Sequence, residues 1–216
     1  MDRARFFSLA AFSASSVFNA GAKAGELKTE IVRKSIHFFV AVTPSMAALN
    51  RPLTVLLLMA GTLGYTVMEY LRLSGVKVPV ISSLTSMASR TRDAGRFVMG
   101  PVTLGLGALI ALLLYPSPVA TIAIYALAFG DGFASLIGKF FGKLRPAFLY
   151  GKSIEGSLAC FTAVLVSAYA VCGNVYITVI AAVTATVVEA LPLEDYDNLA
   201  LPVTVGVVVQ FASLAW

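Results

Sequence analysis

The pattern of apolar and polar positions along this chain is a series of long apolar runs separated by short polar or charged segments. A helix needs about 20 apolar residues, with a range of about 17 to 25, to cross a bilayer. The pattern predicts eight candidate spans, at residues 6–22, 35–50, 53–71, 98–115, 118–138, 156–172, 175–191 and 200–216. The first is weak because serine and alanine fill much of it. We therefore expect an all-α, polytopic integral membrane helical bundle with about seven or eight transmembrane helices, in a single domain over residues 1–216.

Two breaks in the pattern are marked by helix-breaking residues. Pro116 and Pro118 interrupt what would otherwise be one very long apolar helix, because proline lacks an N–H and clashes with the preceding turn. Gly173 and Asn174 separate the sixth run from the seventh in the same way. These positions predict tight turns between antiparallel neighbours.

Composition excludes a soluble globular protein. Of the 216 residues, 58% are hydrophobic and 12% are charged, whereas soluble domains are about 25% charged. The two cysteines, Cys160 and Cys172, lie in apolar surroundings without metal-ligand spacing, so we interpret them as packing residues.

Charge predicts the orientation. Loops 23–34, 72–97 and 139–152 hold thirteen of the sixteen lysines and arginines. Alternation of eight spans places these loops, with the acidic loop 192–199, on one face, which the positive-inside rule makes cytoplasmic. A cleaved signal peptide at residues 1–22 is the alternative, but it would send loop 23–34 outside, so we favour an uncleaved span. The net charge of +5 is thus explained by the basic loops on the cytoplasmic side, and we expect no nucleic-acid partner. We also expect the protein to lie in a bacterial-type plasma membrane.

Two charged groups precede the middle of the chain. Glu30, Arg33 or Lys34, and His37 share one helical stripe by their spacing of three, four and seven residues. A functional cluster and an interfacial helix with basic residues near lipid headgroups both remain open for this stripe. Glu69 and Arg72, three residues apart at the end of a span, favour an interfacial ion pair. His37 is the one histidine of the chain, so it cannot build a metal site alone.

Asp131 is a carboxylate at the inner end of an apolar span, where it is costly unless paired, hydrated or bound to a cation. Glycines around it permit close approach of a backbone or ligand. A basic loop follows, and Ser153 then begins a helix. A basic loop running into a helix N-terminus suits phosphate groups through charge and free N–H donors. The spacing is not that of a Walker A motif.

A last cluster places several acidic groups on the same predicted face. Its members are Glu189, Glu194, Asp195, Asp197 and the amide Asn198. A solvated acidic turn would account for Glu194 and Asp195. Carboxylates opposite a basic loop also suit a hydrated Mg²⁺ that bridges phosphates. Together, the charged groups predict a nucleotide and magnesium site at a membrane surface.

At this point the residues resemble a known family. The stretch "DGFASLIGKFFGKLRP…KSIEG" is similar to the cytidine-nucleotide motif of the CTP-dependent lipid kinases, which include dolichol kinase, phytol kinase and CTP-dependent diacylglycerol kinase. The motifs "E..RK..H", "ME.LR" and "VE.LP…D.DNL..P" resemble the same family in the same order, over about residues 26 to 203. The resemblance implies transfer of the γ-phosphoryl group of CTP to a lipid hydroxyl, giving CDP and a lipid phosphate.

The resemblance also assigns roles to residues. It implies a CTP site lined by Gly130, Asp131, Ala134, Gly138, Lys139, Gly142, Lys143, Lys152, Ser153, Glu155, Gly156 and Asn198. It implies Mg²⁺ ligands among Asp131, Asp197 and Glu189, with Asp131, Lys152, Asp197 and His37 as the catalytic group. Glu30, Arg33, Lys34, Glu69 and Arg72 are the remaining matched polar residues. The identity of the general base stays open.

Two alternatives to a kinase remain. Phosphatidate cytidylyltransferases share a Lys-Thr-x-Glu-Gly element with the stretch that begins at Lys152, but their long C-terminal signature is absent. A small cation-coupled transporter would use Asp131 and Glu189 at depth, although no inverted repeat is visible. The sequence names neither the lipid nor the oligomeric state.

Overall fold

The computed structural model describes residues 25, 27–76, 79, 85, 93 and 95–214. The weak candidate span at residues 6–22 lies outside these residues. The described part of the chain is helical without a strand, which confirms the predicted all-α class. The helices are α1 at residues 27–40, α2 at Thr43–Leu73, α3 at Gly100–Leu114, α4 at Val119–Tyr125, α5 at Gly132–Phe140, α6 at Ile154–Cys172, α7 at Val175–Ala190 and α8 at Asp197–Leu214.

Within the described residues, four helical stretches are long and apolar enough to cross a membrane. They are Thr43–Leu73, Val119–Phe140, Ile154–Cys172 and Glu194–Leu214, and the shorter α3 and α7 are also apolar. At about 1.5 Å per residue, even the shortest of the four approaches the thickness of a hydrocarbon core of about 30 Å. The chain is therefore a membrane helical protein.

The predicted span 35–50 is wrong in its bounds. Helix α1 ends at residue 40 and the chain turns at residues 41–42. Pro44 then lies in the first turn of α2. The N–H groups of a first turn have no acceptor within the helix, so proline, which lacks the N–H, costs no hydrogen bond there. Helix α2 is itself kinked at Asn50, whose side chain accepts a hydrogen bond from the Leu53 N–H at 3.0 Å and so restarts the helix. In place of the predicted spans 35–50 and 53–71, the structure has the polar helix α1 and the long, kinked helix α2.

The other predicted breaks are confirmed. Helix α3 ends before Pro116, and α4 begins directly after Pro118. Gly173 ends α6 with a φ of +63°, a left-handed conformation that glycine adopts without strain. Asn174 then caps α7 by accepting hydrogen bonds from the N–H groups of Tyr176 and Ile177.

The centre of the bundle is built from small side chains of α4, α6, α7 and α8. Ala123, Ala181 and Ala185 are fully buried there, packed around Val164 of α6. Small residues let helix backbones approach closely, which drives helix association inside membranes. Gly206 shows this directly, since a Cβ there would lie 2.1 Å from the Tyr115 ring. The outer surfaces of the bundle carry large exposed apolar side chains, as expected for contact with lipid.

Candidate active site

Asp131 ends a wide helical turn in the middle of one of the long stretches. Residues Ala126–Asp131 form a π-helical turn between α4 and α5. Such turns are rare and frequently lie at functional sites. The glycines on either side permit close packing here: a Cβ on Gly130 would lie 2.9 Å from Val164, and one on Gly132 would lie 2.6 Å from the Phe38 ring. The turn presents a buried carboxylate to α1.

Helix α1 supplies the partners of that carboxylate. The Lys34 ammonium contacts Oδ2 of Asp131, and Nδ1 of His37 lies 3.0 Å from the same oxygen. Ser135, one turn further along α5, donates a hydrogen bond to the other oxygen at 3.3 Å. The buried charge of Asp131 is therefore compensated mainly by the fully buried Lys34.

Glu30 lies one turn of α1 before Lys34 and adds further ion pairs to this contact. Its carboxylate pairs with Arg33 on its own helix and with Lys139 of α5, whose Nζ lies 2.6 Å from Oε2. Burial opposes ionisation of Glu30, but Arg33 and Lys139 outweigh it and lower the pKa of this carboxyl to about 2. Glu30, Lys34 and His37 are all buried, so the predicted helical stripe faces the protein interior. Glu30 contacts α5, whereas Lys34 and His37 contact Asp131.

The basic loop between α5 and α6 is held by its own hydrogen bonds. Glu155 accepts hydrogen bonds from the backbone N–H groups of Lys143 and Leu144, at 3.0 and 3.2 Å. Arg145 donates to the carbonyl oxygens of Gly138 and Gly151. The loop thus folds back over the end of α5, and Glu155 supports its shape.

The first turn of α6 differs from the prediction of free N–H donors. The Ser153 hydroxyl accepts the Gly156 N–H at 3.1 Å, and the carbonyl of Leu144 accepts the Ile154 N–H at 3.0 Å. These donors are occupied because the loop folds back on the helix. Gly142 is required for this packing, since a Cβ there would lie 2.2 Å from the Gly138 carbonyl oxygen. Attraction of an anion to this end of α6 rests on the helix dipole and the nearby cations.

Lys152 joins the loop to the end of α7. Its Nζ lies 3.0 Å from Oε1 of Glu189 and also contacts the Glu189 carbonyl oxygen. Oε2 of Glu189 and Oδ1 of Asp197 are buried, and neither has a hydrogen-bond partner within the described residues. Two carboxylate oxygens near Lys152 can therefore still accept a hydrogen bond or bind a cation.

These groups surround one charged cavity of about 200 Å³, at the end of the bundle. Its walls come from α1, α5, the basic loop, the first turn of α6 and the segments around Glu189 and Asp197. The lining side chains that the sequence singled out are Glu30, Arg33, Asp131, Ala134, Gly138, Lys139, Lys152, Ser153, Gly156, Glu189 and Asp197. Glu194, a member of the predicted acidic cluster, also lines the cavity. The structure adds Ser135, Arg145, Gly151 and Ser157 to the lining.

Several predicted residues lie beside the cavity instead of on its wall. Lys34 and His37 reach it through Asp131, and Gly142 and Glu155 shape the loop. Gly130 packs against α6 behind Asp131. The side chain of Lys143 is exposed and does not line the cavity.

Asn198 lies outside the cavity and joins two helices. Its amide donates hydrogen bonds to the Thr103 hydroxyl at 3.0 Å and to the Gly100 carbonyl at 3.4 Å, so it ties α8 to α3. A Cβ on Gly107 would lie 2.0 Å from the Asn198 carbonyl oxygen, which shows how closely the two helices approach.

The Glu69–Arg72 pair also lies outside the cavity. Arg72 donates two hydrogen bonds to the Glu69 carboxylate, at 2.7 and 2.8 Å. Glu69 accepts the Val98 N–H at 3.0 Å, and Arg72 donates to the Arg96 carbonyl. This pair holds the end of α2 against the segment that enters α3.

The donor set for a metal ion is small. No group of three or more histidine, cysteine or acidic side chains is close enough to hold a metal within the part of the chain that the structure describes. Mg²⁺ usually keeps several waters and binds one or two carboxylates together with substrate phosphates. The unpartnered oxygens of Glu189 and Asp197 fit that requirement. Asp131 fits it less well, because Lys34 and Ser135 already engage its two oxygens.

Comparison with known proteins finds distant plant relatives. A protein of Triticum aestivum named "Probable phytol kinase, chloroplastic" is 31% identical over 134 residues, which are 53% of this chain and 45% of that protein. "Probable phytol kinase 1, chloroplastic" of Oryza sativa subsp. japonica is 27% identical over 146 residues, 59% of this chain and 46% of the relative. "Phytol kinase 1, chloroplastic" of Arabidopsis thaliana is 26% identical over 148 residues, 60% of this chain and 49% of the relative.

All three relatives are kinases by name. The chain covers about half the length of the curated relatives it matches. No protein-family profile matches the chain. No solved structure is similar to it.

Proposed function

We propose that this protein is a membrane-embedded lipid kinase that transfers the γ-phosphoryl group of CTP to the hydroxyl of an isoprenoid or other lipid alcohol. The observation that carries the proposal is the charged cavity, in which four cations and two unpartnered carboxylate oxygens meet at the end of an apolar helical bundle. The names of the distant relatives support a kinase and favour phytol or a similar alcohol as the acceptor. The preference for CTP rests on the motif resemblance.

Phosphoryl transfer mainly requires positioning of the reactants and neutralisation of phosphate charge. Four cationic side chains line the cavity, namely Arg33, Lys139, Arg145 and Lys152. Arg145 is the best placed to contact a phosphate, because its hydrogen bonds go to carbonyl oxygens and not to a carboxylate. Lys152 would exchange its contact with Glu189 for a phosphate oxygen when the nucleotide binds. Nucleotide binding would thereby break the ion pair between Lys152 and Glu189 that is present in the free site.

The proposed reaction transfers one phosphoryl group. The alcohol oxygen forms a bond to the γ-phosphorus, and the bond from that phosphorus to the bridging oxygen of the diphosphate breaks. CDP leaves, and the hydroxyl proton passes to a basic side chain. The candidates are Asp197, which lines the charged cavity, and His37, which lies beside it next to Asp131. Glu189 and Asp197 would hold Mg²⁺, which neutralises phosphate charge when bound.

The location is also part of the proposal. Ion pairs join segments that the charge pattern placed on one face, as in Lys139 with Glu30 and Lys152 with Glu189. The charged segments therefore lie at one end of the bundle. We assign this end to the cytoplasmic side of a bacterial-type plasma membrane on the positive-inside rule. The plant relatives are named chloroplastic.

A product assay on purified protein tests the proposal. Protein in detergent with Mg²⁺ receives CTP labelled at the γ-phosphate, together with phytol, geranylgeraniol, dolichol, undecaprenol or diacylglycerol. Transfer of label into a lipid phosphate, with stoichiometric CDP, is the expected result. An absence of labelled lipid with every alcohol contradicts the kinase.

A further inference from the structure

A second cavity, of about 260 Å³, adjoins the charged cavity, since Arg33 lines both. Most of its wall is apolar and is formed by Ile36, Val98, Pro101 and Leu104, with the Tyr65 ring. Polar groups also line it, namely Arg33, His37, Thr85, Asp93 and Asp195. The cavity is therefore amphipathic, as a site for an apolar chain with a polar head requires.

Side chains of α1 border both cavities. The Arg33 side chain lines both of them. His37 lines the apolar cavity, and its Nδ1 lies 3.0 Å from Asp131, which lines the charged cavity. A hydroxyl held beside Arg33 would therefore meet a phosphate in the charged cavity once the Arg33 side chain moves aside.

We propose that the apolar cavity binds the hydroxyl end of the lipid alcohol, with the hydroxyl toward Arg33 and His37. This inference rests on the proposed kinase function, and it deepens that function by naming the acceptor subsite. Ligand pockets that enclose a whole drug-sized molecule measure about 300 to 1,000 Å³. A cavity of about 260 Å³ therefore encloses the first carbon atoms of the alcohol and leaves the rest of its chain in the bilayer.

A second apolar feature competes for the same ligand. It is a groove of about 520 Å³ on the lipid-facing side, lined by Phe129, Phe133, Ala163, Val166 and their neighbours on α6. No charged side chain lines this groove in the described part of the chain. A hydroxyl there would have no cation or carboxylate to orient it, so the groove suits a lipid tail and the apolar cavity suits the reacting end.

The assignment predicts where selectivity arises. Because only the first carbon atoms are enclosed, bulk near the hydroxyl should weaken binding, whereas chain length should matter little. Substitutions that narrow the cavity should act on the acceptor and leave nucleotide binding unchanged.

Photolabelling tests the site without relying on turnover. The full-length protein in detergent is irradiated with a phytol analogue that carries a diazirine on one of the first carbons from the hydroxyl. An excess of unlabelled phytol serves as competitor, and labelled peptides are mapped by mass spectrometry. Competed labelling of Ile36, Val98 or Leu104 is expected. Labelling of Phe129, Ala163 or Val166 instead, or no competed labelling around the apolar cavity, overturns the assignment.

A matched pair of variants on α3 adds a kinetic test. Leu104→Phe narrows the cavity and should raise KM for phytol about 10-fold or more, while KM for CTP stays within about 2-fold. Leu113→Phe places the same bulk on the same helix at a side chain that is 57% exposed, and it should change neither constant. Ile36→Phe, from the opposite wall, repeats the test if Leu104→Phe does not fold.

The two proposals fail in distinguishable ways. Unchanged KM for phytol in both cavity variants overturns the acceptor subsite while the kinase stands. Wild-type protein that phosphorylates no alcohol, yet shows competed labelling at Leu104, retains the binding site and overturns the kinase.

Discussion

Lys152 and Glu189 face each other at 3.0 Å, and they link the loop before α6 to the last turn of α7. The pair uses one carboxylate oxygen of Glu189 and leaves the other, Oε2, buried without a partner among the described residues. Such unsatisfied buried oxygens are few in native proteins and call for an explanation. In the proposed function, a bound cation that shares Glu189 and Asp197 would explain both of these unpartnered carboxylate oxygens.

Removal of these carboxylates should weaken the response to Mg²⁺. We expect Glu189→Gln and Asp197→Asn each to raise the Mg²⁺ concentration for half-maximal activity about 10-fold or more, because each removes one charged oxygen ligand. Titration of kinase activity with Mg²⁺ at saturating CTP measures this. A decrease in activity with an unchanged Mg²⁺ midpoint would show that the two residues do not hold the ion.

Two basic residues of the same loop should differ in their effect on the nucleotide. Arg145 lines the charged cavity, whereas Lys143 does not. A hydrogen bond to a charged group is worth about 1.5 to 3 kcal/mol, so Arg145→Ala should raise KM for CTP about 10- to 100-fold. Lys143→Ala is the matched control and should stay within about 3-fold. Equal effects of the two variants would contradict the placement of the loop.

Asp131 should matter for folding as well as for activity. Asp131→Asn leaves the buried Lys34 without its countercharge, and breaking a buried ion pair costs about 3 to 5 kcal/mol. We expect a large fall in thermal stability for this variant. The double variant Asp131→Asn with Lys34→Met should recover much of the stability, because it removes both charges. A stability loss that simply adds between the two single variants would exclude the direct pair.

Acid should destabilise the protein through Glu30. Its pKa is about 2 in the folded protein and ordinarily 4.5, so the folded state binds fewer protons than the unfolded state in this range. The stabilisation is full above pH 4.5 and is lost as the pH falls toward 2, and it amounts to at most about 3 kcal/mol.

The Glu30→Gln variant checks this dependence. It should be less stable than wild type at pH 6, and the difference in the free energy of unfolding should shrink below pH 4.5. Denaturant unfolding in detergent at several pH values measures it. A difference that stays constant with pH would show that Glu30 is not held ionised by Arg33 and Lys139.

Much of the architecture follows from local physical rules. Long apolar runs predict membrane helices, and Pro116, Pro118 and Gly173 mark helix ends because their backbone preferences act locally. The spacing of Glu30, Lys34 and His37 predicts a shared face, and the structure shows all three side chains buried. These features depend on neighbours in sequence and therefore require no knowledge of the tertiary fold.

Features that depend on tertiary contacts were not predicted. The π-helical turn at Asp131 has no sequence pattern of its own. The predicted span 35–50 runs through the turn at residues 41–42, because the apolar residues there do not mark a turn. Arg145 and Lys143 are both basic residues of one loop, and the path of the loop decides which of them lines the cavity. Ser135 could have been found, because it lies one helical turn after Asp131.

The most direct test of the central claim is to follow the two ends of the triphosphate separately. Purified protein receives phytol and CTP with distinguishable labels on the α- and γ-phosphates, and a parallel reaction contains phosphatidate. A CTP-dependent lipid kinase leaves the γ label alone in the lipid product, with the α label retained in CDP. Transfer of the α label to lipid, with pyrophosphate released and phosphatidate required, would contradict the kinase and identify a cytidylyltransferase.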